Sequence, residues 1–205
     1  MRHFPPSQVM KVRIEPGFAA FTLLLYALAG ELVWPFFLAA GLHELAHLLA
    51  LYALGGRAEV VTLRFADARI TMAPMGYAAE IVCALAGPAA NFLCFALWRA
   101  RAPAFAAISL LLSCYNLLPV LPLDGGRAVF AAVSLAASPI TAQKLYTRLS
   151  AAACAALTLT AAYAAIFCGA GVWPLLAMGA LALRLTRMGR EERKTGCFSG
   201  AARVE

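Results

Sequence analysis

Three side chains in one short stretch are of the right types and spacing to do chemistry together: His43, Glu44 and His47, within Gly41-Leu42-His43-Glu44-Leu45-Ala46-His47-Leu48. On a helix, positions four apart lie one above the other on one face, so two imidazole nitrogens can meet one metal ion. Glu44 sits beside that face and can take a proton from an attacking water. This is the H-E-x-x-H arrangement of zinc hydrolases. A single histidine on an apolar helix is more often a hydrogen-bonded core residue, but the chain has 3 His and two of them fall in this pattern. The surroundings are almost wholly apolar. Ionisable groups are costly in such a place and mark a functional site by default.

A catalytic zinc usually takes three protein ligands and keeps one position open. His3 lies in a polar stretch and is a poor third ligand. Asp124 is a good one. It is the only carboxylate between Glu80 and Glu191, and it lies in Asn116-Leu117-Leu118-Pro119-Val120-Leu121-Pro122-Leu123-Asp124-Gly125-Gly126-Arg127. Prolines three apart break helical hydrogen bonding there, and paired glycines allow a sharp turn. Irregular backbone at membrane depth is tolerated only where it lines a protein cavity. The simpler alternative for Asp124 is an interfacial carboxylate at the start of a following helix. Ligand type alone also admits cobalt or iron. Asn91, in Ala86-Gly87-Pro88-Ala89-Ala90-Asn91-Phe92, is an amide in an apolar run. It either bonds between helices or lines the site. Asn91 and Asn116 are both candidates to hold substrate or stabilise an oxyanion, because a neutral amide donates without adding charge.

These residues need a scaffold, and the composition says in what solvent it folds. The chain has 205 residues, 63% hydrophobic and 13% charged, with a mean hydropathy of +0.79. A soluble domain carries about a quarter charged residues. Lipid is therefore the expected solvent for most of this surface. The net charge of +7 fits cytoplasmic loops beside anionic lipid rather than nucleic-acid binding. The 6 Cys are scattered through apolar runs without a CxxC pair, which argues against a disulfide framework or a thiolate zinc site. No cleavable signal peptide is evident; the first apolar run reads as a retained span.

The expected fold is an all-α polytopic membrane protein of about six transmembrane helices with a small membrane-surface β-hairpin. Residues 1–16 form a basic cytoplasmic segment, 17–185 the membrane domain and 186–205 a basic cytoplasmic tail. The expected spans are 17–30, 32–54, 80–98, 103–120, 149–168 and 172–185. The second carries the histidine motif toward its cytoplasmic end, and Gly55-Gly56 stops it. The hairpin is expected over 57–72, with Ala66-Asp67 between its strands. A short interfacial helix is expected over 128–137. Lys144 and Arg148 mark the cytoplasmic face before the fifth span.

With His43-Glu44-Leu45-Ala46-His47, Gly87-Pro88-Ala89-Ala90-Asn91, and Asn116 through Pro119, Pro122, Asp124, Gly125 and Gly126 in view, residues 17–185 resemble the site-2 protease family of intramembrane zinc metalloproteases. The small layout is similar to the branch containing stage IV sporulation protein FB. The resemblance implies that His43, His47 and Asp124 bind one zinc ion and that Glu44 is the catalytic base. It implies that Asn116 and Pro122 belong to the loop around the substrate, and that the hairpin guides a substrate strand. A bacterial cell-membrane location follows, with a membrane-associated or single-span substrate protein and a membrane regulatory partner. Two other readings use the same residues. A metal transporter would not need Glu44 and would line its path with more acidic or histidine residues, of which the spans are nearly bare. An inactive relative that only retains partners would not need the full metal-and-base set.

Overall fold

The computed structural model describes residues 11–14, 16–64, 67–72, 75–120 and 123–167. The chain divides into two compact units, one running to Tyr115 and one starting at Asn116.

The first unit opens with strand β1 (Lys11–Ile14) and helix α1 (Pro16–Ala29). A single tight helical turn (Gly30–Leu32) leads into α2 (Val33–Ala53). Strands β2 (Ala58–Arg64) and β3 (Asp67–Met72) follow, then α3 (Tyr77–Trp98) and α4 (Pro103–Asn116). Strands β2 and β3 pair antiparallel, from Ala58 opposite Met72 to Arg64 opposite Asp67, with a register shift between Ala58 and Val60. In the stretch where the sequence predicts a hairpin there is thus an antiparallel strand pair. The sheet has a third member that the sequence reading does not anticipate. β1, read as part of a polar tail, pairs parallel with β2, Lys11 opposite Val60 through Ile14 opposite Leu63. A parallel partner needs a long crossover, and here α1 and α2 separate the two strands in sequence.

α2 and α3 meet along rows of residues four apart. On α2 the buried row is Ala39, His43, His47 and Leu51. On α3 it is Cys83, Gly87 and Asn91, with Ala84 and Pro88 beside it. Rows of this spacing interdigitate when two helices pack, and the small residues on α3 let the backbones approach closely. The helices run antiparallel, since Cys83 meets His47 and Asn91 meets His43. Leu51, Ala58 and Cys83 form a buried cluster with Leu48 and Met75 packed against it. α2 ends at Gly55-Gly56, whose N–H groups bond the carbonyls of Tyr52 and Leu51 at 3.0 and 2.9 Å. This crossed pair satisfies the last carbonyls of the helix. On α4 the buried row is Phe105, Ala106, Ser109 and Ser113, and Ser113 Oγ donates to the Pro88 carbonyl at 2.9 Å.

The faces opposite these rows are also apolar: Trp34, Leu38, Leu45 and Leu49 on α2, and Phe92, Leu93 and Leu97 on α3, are all exposed. A helix apolar all round belongs in a large core or in lipid. Gly30–Ala53 and Tyr77–Trp98 are long and apolar enough to cross a membrane. At 1.5 Å per residue, helices of this length reach about 33–36 Å, enough for a hydrocarbon core of about 30 Å. Pro16–Ala27 and Pro103–Asn116 are apolar but shorter. The expected fourth span, 103–120, is helical only to Asn116, because the prolines that follow cannot continue a helix.

The second unit contains α5 (Asp124–Ala136) and α6 (Pro139–Phe167). α5 begins at Asp124 rather than at residue 128. The Leu117 carbonyl lies against Gly125, so closely that a Cβ there would overlap it. Ser150 Oγ on α6 donates to the Pro119 carbonyl at 3.2 Å, and the rings of Phe130 and Tyr146 pack edge-on with centroids 6.3 Å apart. α6 begins ten residues before the expected fifth span, so Lys144 and Arg148 lie within the helix rather than ahead of it. The expected sixth span, 172–185, and the tail 186–205 lie outside the described residues, as do residues 1–10 with His3.

Candidate metal centre

The centre is built on the α2 row. One helical turn places His47 under His43, with their Nε2 atoms 3.1 Å apart. The two rings are nearly perpendicular, at 81°, with centroids 4.7 Å apart. Both side chains are buried. The other nitrogen of each ring is held from α3. His47 Nδ1 lies 2.7 Å from the carbonyl oxygen of Cys83. A carbonyl only accepts, so Nδ1 of His47 carries a proton, and in the neutral ring its Nε2 presents a lone pair. The Cys83 thiol returns a contact, donating to the His47 carbonyl at 3.7 Å. His43 Nδ1 lies 3.2 Å from Asn91 Nδ2.

Two observations fit this pair to a metal. Zinc–nitrogen bonds of about 2.0–2.1 Å at a tetrahedral angle put two ligand nitrogens about 3.3 Å apart; the imidazole pair stands at 3.1 Å. The second is the cradle beside it. A Cβ at Gly87 would lie 2.7 Å from Nε2 of His43 and would meet Nε2 of His47 more closely still. The residue facing both Nε2 atoms therefore has no side chain, and room is kept where an ion would bind. The His donor set suits zinc, which commonly takes neutral imidazole in catalytic sites.

Glu44 follows His43 on α2 and is half-buried. Asp124, in the second unit, is buried in the first turn of α5, where the helix dipole favours a negative charge. Its Oδ1 lies 3.4 Å from Nη1 of Arg127, one turn along. Asn116 is the half-buried last residue of α4. Pro122 lies outside the described residues. The structure thus brings His43, His47 and Asn91 together in one unit. Two contributors have no role at the centre in the sequence reading: the Cys83 carbonyl and Gly87, which the sequence shows only as part of a motif. Their signal was present, since Cys83, Gly87 and Asn91 recur at the same four-residue spacing as the histidines.

Residues 95–158 match Peptidase family M50. The matched segment contains Asn116 and Asp124 and leaves out the histidine motif. No curated protein matches the chain. Among solved structures, the Site-2 Protease from Methanocaldococcus jannaschii is similar with a TM-score of 0.59 and 20% identity, over 98% of this chain and 96% of that one. The chain has the fold of that protease. The likeness in fold spans the histidine motif, which the M50 match does not reach.

Proposed function

We propose that this protein is an intramembrane zinc metalloendopeptidase of the site-2 protease type, which cuts a peptide bond in or near a membrane segment of a substrate protein. The observation that carries the reading is the imidazole pair on α2, its Nε2 atoms 3.1 Å apart beneath a glycine that leaves room for an ion. Asp124 is proposed as the third ligand. The reading is supported by the M50 match around Asp124, the site-2 protease fold and the order of the three motifs along the chain.

When bound, zinc lowers the pKa of water to about 7 and polarises a carbonyl. The remaining work belongs to the chain. His43 and His47 donate from Nε2. Glu44 takes the proton of the attacking water on a carboxylate oxygen and returns it to the amine nitrogen that leaves. Asn116 and Pro122 belong to the loop that holds the substrate, and the β2–β3 pair guides an extended substrate strand by edge pairing. The substrate helix unwinds first, since a helical backbone keeps its carbonyls engaged. The protein lies in a bacterial cell membrane as about six spans with both termini in the cytoplasm. Its substrate is a single-span or membrane-associated protein, with a membrane partner for control. A sporulation role is the narrower form of the same reading.

The test is co-expression with single-span substrates, comparing wild type with Glu44→Gln. Glu44→Gln should keep its zinc and lose cleavage by about 100-fold or more, the usual effect of removing a general base. Undiminished cleavage would remove the mechanism.

A further inference from the structure

Asn91 is fully buried, yet only one end of its amide has a partner. Nδ2 lies 3.2 Å from His43 Nδ1, while Oδ1 has no hydrogen-bond partner among the described residues. The two ends of an amide are alike in size and exchange places by a half-turn about the Cβ–Cγ bond. The two orientations require different tautomers of His43. With Nδ2 facing the ring, Nδ1 must accept, and the proton of the neutral imidazole sits on Nε2. That Nε2–H then points at the Nε2 lone pair of His47, which the Cys83 carbonyl fixes. With Oδ1 facing the ring, Nδ1 carries the proton and Nε2 is a lone pair directed at the same point as that of His47. Only the second arrangement can bind a metal through both histidines.

We propose that Asn91 is the positioning residue for His43: its side-chain oxygen, brought round by a half-turn of the amide, accepts the Nδ1 proton and leaves Nε2 unprotonated for the metal. The role rests on the metal centre proposed above. It makes the two imidazoles unequal. The partner of His47 is a backbone carbonyl and permits one tautomer. The partner of His43 is an amide and permits two, so metal uptake is linked to the orientation of one side chain. Ligand histidines commonly pass their second N–H to an acceptor, and losing that acceptor weakens metal binding by about 10–100-fold.

The experiment uses the full chain in detergent. Zinc affinity is measured by competition with a chromophoric chelator for wild type, Asn91→Leu and Asn91→Asp. Asn91→Leu keeps the branched shape and loses the acceptor, and its affinity should fall by about 10–100-fold. Asn91→Asp keeps an acceptor and should bind at least as tightly as wild type. A second measurement needs no variant. In zinc-loaded wild type carrying ¹⁵N-histidine, the imidazole proton of His43 should be on Nδ1. Finding that proton on Nε2, or finding wild-type affinity in Asn91→Leu, overturns the role. Equal losses in Asn91→Leu and Asn91→Asp overturn it too. Absence of zinc uptake by wild type would overturn the metal centre itself, a distinct result.

Discussion

A Cβ placed on Gly87 would stand 2.7 Å from Nε2 of His43. Gly87 lies in the interior of α3, where replacing glycine by alanine ordinarily favours the helix by about 1 kcal/mol. Helix propensity and site chemistry therefore pull in opposite directions at this position. Gly87→Ala should retain its helical content by circular dichroism and lose zinc affinity by about 100-fold or more, because the added methyl occupies the ground shared by both nitrogens. A full zinc complement in purified Gly87→Ala would mean that no ion sits there.

What the sequence disclosed, and what it did not, follows from where each signal lies. The i, i+4 histidine pair and the double glycine closing α2 are local, and both stand in the structure as local spacing dictates. The strand Lys11–Ile14 is not legible, because its partner lies some fifty residues on and four residues carry little pattern alone. The start of α6 is legible in local signals. Ser138 caps it, its Oγ accepting from the Thr141 N–H at 3.2 Å, and Pro139 takes the first helical position. Hydropathy marks only where the apolar run begins, at residue 149, and not where the helix that carries it starts. The partner of Asn91 could not be read at all, since sequence gives a buried amide a need for partners but not their identity.

The contact at Gly125 makes a prediction confined to the second unit. An alanine there would press on the Leu117 carbonyl, a backbone group that cannot rotate away. Gly125→Ala should lower stability by about 1–3 kcal/mol, the usual cost of overpacking. Gly41→Ala is the control, because open space surrounds that position on α2. It should be neutral or stabilising by up to about 1 kcal/mol. Denaturation of both variants in the same detergent decides the matter, and equal midpoints would show that the approach of Leu117 to Gly125 is not tight.

Ser113 pins α4 to α3 at the residue after Gly87. Pro88 has no N–H to give the Ala84 carbonyl, so α3 is weakest in the turn that faces the histidines. The 2.9 Å bond from Ser113 Oγ to the Pro88 carbonyl steadies that turn from outside. Ser113→Ala should cost about 1 kcal/mol of stability. Zinc affinity should fall by less than about tenfold, since no ligand or ligand partner is removed. A loss as large as that of Gly87→Ala would mean that the hydroxyl acts at the centre itself.

Asp124 has two roles open to it, and they separate under one substitution. As a charge in the first turn of α5, paired with Arg127 at 3.4 Å, it would contribute about 0.3–1 kcal/mol and have no bearing on metal. As the third ligand it would matter chiefly to zinc. Asp124→Asn keeps the shape and removes the charge. If Asp124 is a ligand, zinc per chain in the purified variant should drop well below that of wild type, while thermal midpoints measured in excess chelator stay within a few degrees of each other. If it only serves the helix end, zinc content holds and the chelator midpoint falls by no more than a few degrees, so zinc content is the measurement that decides. The second outcome would leave His43 and His47 as the metal pair and send the search for a third ligand elsewhere. The first would join the segment matched to Peptidase family M50 to the histidine motif that the match leaves out.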